Sequence, residues 1–241
     1  MSQKPLIIIT GASSGIGETT AKALSKRGHP LLLLARRIER LEAMGLPETL
    51  CRKTDVTDLE AFIKAVAEAE TLYGPTDCLI NNAGVMLLSQ IVDQNPAEWK
   101  HMMDVNVLGI LNGIHSVLKG MIERKTGTIM NLSSIAGKKT FPNHAVYCGT
   151  KFAVHSMSEN LREEVAKHNV RIITIAPGAV DTELLSHTTN NSIKTDYENW
   201  KKEIGGVLDA QTVTKAILFA YEQPQSVCIR EIALTATGQE P

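Results

Sequence analysis

The sequence lacks charge of a dominant sign. Its 25 Lys and Arg and 26 Asp and Glu leave a formal net charge of −1. A near-neutral chain has no long-range attraction for nucleic acid or for an anionic membrane surface, so neither is expected as a partner. It also lacks a continuous apolar run near the ~20 residues of a membrane span. Its N-terminus, Met1-Ser2-Gln3-Lys4-Pro5, does not read as a signal peptide. The four cysteines, Cys51, Cys78, Cys148 and Cys228, have no metal-type spacing and read as reduced packing residues of a cytoplasmic protein, with no metal site expected. Repeats, low-complexity tracts and linkers are missing too. At 241 residues the chain reads as a single domain, 1–241, with a large core.

What is present is organised around Thr10-Gly11-Ala12-Ser13-Ser14-Gly15-Ile16-Gly17. An apolar β-branched run, Leu6-Ile7-Ile8-Ile9, precedes it and reads as a buried parallel strand. Helical spacing of apolar residues follows it. Glycine at a strand-to-helix turn allows a tight backbone and close approach of a ligand. The helix N-terminus then offers free N–H groups and a positive dipole end to a phosphate. The spacing is Gly-x-x-x-Gly-x-Gly, not the commonest dinucleotide fingerprint Gly-x-Gly-x-x-Gly.

Strand and helix then alternate. Strands are expected at 30–35, 50–53, 78–80, 128–132, 170–175 and 227–234, and helices at 38–43, 59–72, 96–124, 145–168 and 209–221. This pattern predicts an α/β fold, a Rossmann-type doubly wound parallel sheet of about seven strands with helices on both faces. It excludes a β-barrel. Ligands of such sheets sit outside the carboxyl ends of the strands. The glycine turn, Ala35-Arg36-Arg37, Asp55-Val56, Asn81-Asn82-Ala83-Gly84, Ser133-Ser134 and Pro177-Gly178 all follow strand ends, which predicts one site.

Ala35 stands at the strand end where an acid would bind a ribose 2′-hydroxyl, and Arg36 and Arg37 follow it; guanidinium suits a 2′-phosphate, so NADP(H) is expected over NAD(H). Tyr147 and Lys151, four apart at a helix start, share a face. A nearby ammonium lowers a tyrosine pKa from about 10 and fits the pair for general acid/base work. Ser134 lies thirteen residues before Tyr147, Ser133 is the competing serine, and Asn106 is placed to hold a water.

Taken together, these motifs resemble the short-chain dehydrogenases/reductases over nearly the whole chain. The resemblance implies a catalytic tetrad of Asn106, Ser134, Tyr147 and Lys151, with Ser134 preferred to Ser133 by its spacing to the tyrosine. It implies adenine contacts from Asp55 and Val56 and carboxamide contacts from 177–182, including Pro177, Gly178, Val180 and Thr182. Asn82, Ala83 and Gly84 join the cofactor site, as do Tyr147 and Lys151. It also implies a homotetramer built from dimers, through the helices beginning at Pro96 and Ala145 and the last strand. Shorter stretches, 31–37, 81–88, 137–142, 182–188 and 227–234, resemble bacterial members that enhance the blue fluorescence of bound NADPH. Clavulanic-aldehyde reductases and 3-hydroxy-acid (serine-type) dehydrogenases are less similar. The expected activity is reduction of a small carbonyl compound, the alternative a protein that binds or reports NADPH with little turnover. Met86, Leu88, Phe141, His144, Val180 and Leu184 are expected to line a mostly apolar substrate pocket. Residues 182–206 read as a long connection serving as a lid.

Overall fold

The computed structural model describes residues 4–239, so Met1, Ser2 and Gln3, on which the reading of the N-terminus rests, lie outside it. Seven strands form one parallel sheet: β1 (Leu6–Thr10), β2 (Leu31–Ala35), β3 (Thr49–Lys53), β4 (Thr76–Asn81), β5 (Thr128–Leu132), β6 (Arg171–Pro177) and β7 (Glu231–Leu234), in the order β3-β2-β1-β4-β5-β6-β7. Eight α-helices connect them: α1 (Gly15–Ser25), α2 (Ile38–Glu42), α3 (Leu59–Tyr73), α4 (Pro96–Met103), α5 (Gly109–Arg124), α6 (Ala145–Val165), α7 (Asn191–Glu203) and α8 (Ala210–Tyr221).

The central strands are apolar throughout because both faces are covered. Alternate residues still go to opposite sides. Leu6, Ile8, Leu32, Leu34, Leu79, Ile129 and Ile172 join one core with side chains of α3, α5 and α6. Ile7, Ile9, Leu31, Leu33, Ile80, Met130 and Ile173 join another with α1 and α8. The strand order reverses between β1 and β4, and that switch point opens a crevice at their carboxyl ends.

Three elements differ from expectation. The last strand begins at Glu231, not Val227, because the Val227 N–H closes a turn onto Pro224 O (2.8 Å) before the chain reaches β6. The single helix expected over 96–124 is α4 and α5 joined by a π-helical turn, Asp104–Leu108, closed by the Gly109 N–H on Asp104 O. By length and composition Pro96–Arg124 is apolar enough to cross a membrane, which the search for continuous apolar runs missed. In the fold, half of its most apolar window is buried against the sheet and α3. Finally, 182–206 is not an irregular loop. It holds a 3₁₀ turn, Glu183–His187, and the thirteen-residue α7, capped by Asn190 Oδ1 accepting from Ile193 N (3.2 Å).

Gly113 marks the tightest contact of α5 with the sheet. A Cβ there would collide with Asn81 Oδ1 and stand 3.2 Å from Phe62 Cζ and 3.3 Å from Leu79 Cδ2. Alanine gains about 1 kcal/mol of helix propensity, whereas overpacking a core costs about 1–3 kcal/mol. Packing should win. Gly113→Ala is expected to lower the melting temperature by several degrees, at about 2–4 °C per kcal/mol for a chain of this size. A higher melting temperature in calorimetry would show that α5 moves off the sheet at little cost.

Candidate active site

The crevice is a cavity of about 560 Å³. Its floor is set by two turns fastened together. Asn82 N and Ala83 N both donate to Thr10 Oγ1 (3.0 Å each), and Asn82 Nδ2 donates to Thr10 O (3.0 Å) and Gly11 O (3.1 Å). The backbones approach so closely that a Cβ on Gly11 (φ +63) would lie 2.8 Å from Ala83 Cα. On Gly15 (φ +55) it would lie 2.9 Å from Thr182 Cγ2. Gly17 serves differently from expectation. It does not line the cavity; a Cβ there would strike Gly11 O and come within 2.6 Å of Asn82 Nδ2, so its role is to let α1 close on the two turns. Ser14, at the N-cap of α1, makes no side-chain cap. Its hydroxyl accepts from Arg37 Nη2 instead (2.9 Å).

One end of the cavity is cationic. Arg37 also donates to Ser13 Oγ through Nε (3.3 Å) and Nη2 (3.2 Å), and Arg36 lines the wall beside it. Glu183, which the sequence reading did not single out, bridges Arg37 Nη1 and Arg40 Nη1 at 2.7 Å each. Hydrogen bonds from Arg40 and Arg37 hold its carboxyl down at about 2. Asp55 and Val56 line the same end. Burial would raise Asp55, but hydrogen bonds from the Thr57 N–H and hydroxyl leave it below its ordinary value.

At the other end Ser134, Tyr147 and Lys151 converge on the cavity. Ser134 Oγ donates to Pro177 O (3.3 Å), accepts from Ala136 N (3.1 Å) and hydrogen-bonds Tyr147. Ser133 faces the cavity too, but its hydroxyl is held by α6, through Lys151 O (3.1 Å) and His155 Nδ1 (2.8 Å). Lys151 Nζ donates to Leu132 O (2.9 Å) and lies 5.7 Å from the Tyr147 ring centroid.

The electrostatics reverse one expectation. Burial raises the Tyr147 pKa well above 10, with Tyr197 adding to the rise and the Ser134 hydrogen bond opposing it. Burial also lowers Lys151 to about 8. Desolvation disfavours both charged forms, and it outweighs the attraction that was expected to depress the tyrosine. At neutral pH the pair is therefore a protonated phenol beside an ammonium that gives up its proton more easily than an exposed lysine.

Asn106 departs from expectation as well. It is fully buried in the π-helical turn and does not line the cavity. Nδ2 donates to Val85 O (2.9 Å) and Thr150 Oγ1 (3.1 Å), and Oδ1 accepts from Val85 N (2.8 Å). Its amide hydrogens are spent on protein, so it ties the turn after β4 to α6 rather than presenting donors to water.

Gly84, Met86, Phe141, His144, Pro177, Gly178, Val180, Thr182 and Leu184 all border the cavity. Leu88 does not; it is packed in the core with its N–H on Thr188 Oγ1 (3.2 Å). The sequence reading missed the contribution of α7, whose Asp196, Tyr197, Trp200 and Lys201 complete the wall. The signal for it was Ile193, Tyr197 and Trp200 at helical spacing in an otherwise polar stretch. Among the described residues no group of three or more His, Cys, Asp or Glu is placed to hold a metal ion.

Comparison with known proteins points the same way. The family model for short chain dehydrogenases matches residues 5–192. An uncharacterized oxidoreductase of Listeria innocua is 40% identical over 242 aligned residues, covering 97% of each chain. A glycine betaine reductase of Emericella nidulans is 38% identical over 94% of this chain, which spans 18% of that longer protein. Among solved structures, the closed form of a serine dehydrogenase complexed with NADP⁺ superposes with a TM-score of 0.90 at 28% identity, covering 98% of this chain and 96% of that one.

The shifted lysine has a measurable consequence. Between about 8 and the ordinary 10.5 the unfolded chain binds a proton that folded Lys151 has released, so this group makes stability rise with pH across that window. Below about 8 both states are protonated and its contribution is constant. Lys151→Met removes the dependence. The stability difference, variant minus parent, should fall by about 1–3 kcal/mol from pH 8 to 10.5; a difference flat with pH in urea titrations would show that the lysine is not desolvated.

Proposed function

The chain belongs to the short chain dehydrogenase family, and on that premise we propose that it is an NADPH-dependent oxidoreductase that reduces a small carbonyl compound. The convergence of Ser134, Tyr147 and Lys151 on the same cavity as the glycine turn carries this reading. The residues present fit the cofactor. Gly11 and Gly15 keep a cradle free that side chains would fill, and the uncapped N-terminus of α1 faces the same space as the Arg36–Arg37 pair. The NADP⁺ complex of the serine dehydrogenase supports the same group.

Gly11, Ser13, Ser14, Gly15 and Ile16 would hold the phosphates and Arg36 and Arg37 the 2′-phosphate. Asp55 and Val56 would flank the adenine, and Asn82, Ala83, Gly84, Pro177, Gly178, Val180 and Thr182 the nicotinamide half. When bound, NADPH supplies the hydride. Tyr147, kept protonated by burial, gives its proton to the substrate oxygen, and Ser134 donates a hydrogen bond to the same oxygen. Lys151 would hold the nicotinamide ribose and compensate the phenolate once the proton has left. Asn106 acts as a positioning residue through Val85 and Thr150. The segment 182–206 acts as the lid.

Serine and glycine betaine, named in two of the relatives, support a small substrate that carries nitrogen; the apolar walls formed by Met86, Phe141 and Leu184 support a neutral aldehyde or ketone. A serine-type dehydrogenase is the second reading, favoured by the close structural likeness. Enhanced blue fluorescence of bound NADPH rests on the sequence resemblance and on the enclosure of the site by Ile16, Pro177, Gly178 and Val180. We also propose a homotetramer built from dimers, because Met103, Leu108, Leu111 and Phe152 leave apolar surface on the helices that begin at Pro96 and Ala145, and a cytoplasmic location, which the free cysteines Cys51, Cys78, Cys148 and Cys228 support.

Tyr147→Phe should abolish reduction of aldehydes while leaving the brightening of NADPH emission on titration within about threefold of the parent affinity. Turnover in a correctly folded variant would remove the tyrosine from this role. NADPH should bind more tightly than NADH, since a charge-assisted hydrogen bond contributes roughly 1.5–3 kcal/mol, about ten- to a hundredfold. Replacing Arg36 and Arg37 together by alanine should erase that preference, and equal dissociation constants in the unmodified protein would count against the assignment. Light scattering at micromolar concentration should report the mass of four chains; a monomer would contradict the assembly.

A further inference from the structure

Aromatic residues are scarce in this chain: four Phe, four Tyr and two Trp. Yet Phe141, Tyr147, Tyr197 and Trp200 all border the one cavity, with His144 among them. Ring centroids of His144 lie 5.7 Å from Phe141, 6.2 Å from Tyr147 and 6.1 Å from Tyr197, and Tyr197 lies 5.2 Å from Trp200. Neighbouring planes are tilted by 36–63°, so the rings form a concave wall and not a stack. Phe141, His144, Tyr197 and Trp200 are only half-buried, as expected of side chains that border the cavity.

A wall of this kind fits a soft cation, because the negative faces of several rings replace its hydration without a competing fixed partner. The local charge agrees. Asp196 borders the cavity beside Tyr197, and Lys201 is engaged by Glu198 (2.8 Å). Burial lowers the His144 pKa against the raising effect of its Nδ1 hydrogen bond with Pro142 O (2.6 Å), which favours the neutral ring and keeps repulsion of a cation small. Arg36 and Arg37 belong to the opposite end, where Glu183 meets Arg37, and Lys151 is turned to Leu132 O. A purely apolar substrate would need neither Asp196 nor the concentration of rings.

We infer that the cavity between α6 and α7 is an aromatic cage for a quaternary ammonium group, and that the substrate is a small aldehyde bearing that group near its carbonyl. This rests on the carbonyl-reductase reading above. The carbonyl carbon accepts a hydride, two electrons reduce the C=O bond, and the oxygen takes its proton from Tyr147, leaving an alcohol with its cationic group unchanged. The cage does no chemistry; it fixes the cation so that the carbonyl reaches Tyr147 and Ser134.

The test compares a cation with its uncharged twin. Choline and 3,3-dimethylbutan-1-ol have the same shape and differ in a nitrogen exchanged for carbon. Calorimetric titration of the whole protein, with and without NADP⁺, should show choline binding about three- to thirtyfold more tightly. Trp200→Leu and Asp196→Asn should each weaken choline at least threefold and change the uncharged alcohol less than twofold, with folding checked by melting temperature. In turnover, trimethylammonioacetaldehyde should surpass 3,3-dimethylbutanal in kcat/KM by a similar factor, through KM. Equal or tighter binding of the uncharged alcohol overturns the cage, as does failure of choline to bind at tens of millimolar. Reduction of both aldehydes without preference would overturn the cage and leave the oxidoreductase. A choline preference without reduction of any aldehyde would leave the cage and overturn the oxidoreductase.

Discussion

The site depends on how closely two pieces of backbone can approach. The turn after β1 and the turn after β4 lie side by side at the switch point, and the Thr10 hydroxyl receives two N–H groups from the second turn. That contact needs Gly11 and Gly17 to have no side chain, since a Cβ on either would run into the other turn or into the first turn's own carbonyl. With the two turns fastened, the start of α1 faces the crevice, and the chain after β4 runs along the floor to Val85, where Asn106 holds it to α6. Tyr147 and Lys151 are on α6. The glycine turn and the Tyr147–Lys151 end of the cavity are thus connected by hydrogen bonds through the Thr10 hydroxyl and the Asn106 side chain.

Burial does opposite things to two neighbours at the chemical end. It raises the phenol and lowers the ammonium, so each is pushed toward its neutral form. The arrangement keeps the proton on Tyr147 and makes Lys151 lose its own more readily than an exposed lysine would. The hydrogen bond between Ser134 and Tyr147 works against the rise of the tyrosine, and the Ser134 hydroxyl proton goes to Pro177 O.

The sheet was legible in the sequence because Leu6-Ile7-Ile8-Ile9 and Leu31-Leu32-Leu33-Leu34 are continuous apolar runs that only a two-sided sheet can bury. The residues at the strand ends were legible because glycine, arginine and serine there follow a backbone geometry common to such sheets. Other features carried no such signal. The helix α7 is mostly polar, and its one apolar stripe, Ile193, Tyr197 and Trp200 at i, i+4 and i+7, is only partly buried, so three residues were too few to mark a helix in the sequence. The π-helical turn depends on a single added residue, and the surroundings of Asn106 depend on long-range partners, Val85 and Thr150. The direction of the Tyr147 shift could not be read from the Tyr-x-x-x-Lys spacing, because spacing reports proximity and says nothing of desolvation.

Glu183 gives the cationic end a further property. Its carboxylate already holds Arg37 and Arg40, and it sits one residue after Thr182 on the turn that leads to α7. A dianion arriving at Arg37 competes with that carboxylate for the same guanidinium, and whatever loosens Glu183 also frees the first residue of the segment that carries the aromatic wall. To the extent that displacing Glu183 moves the turn before α7, the two ends are linked, and by reciprocity any such effect of the dianion on the far wall is matched by an equal effect of the wall's occupant on the dianion. Discrimination between phosphorylated and unphosphorylated nucleotides would accordingly depend on what fills the opposite end, an order-of-binding effect set by one glutamate.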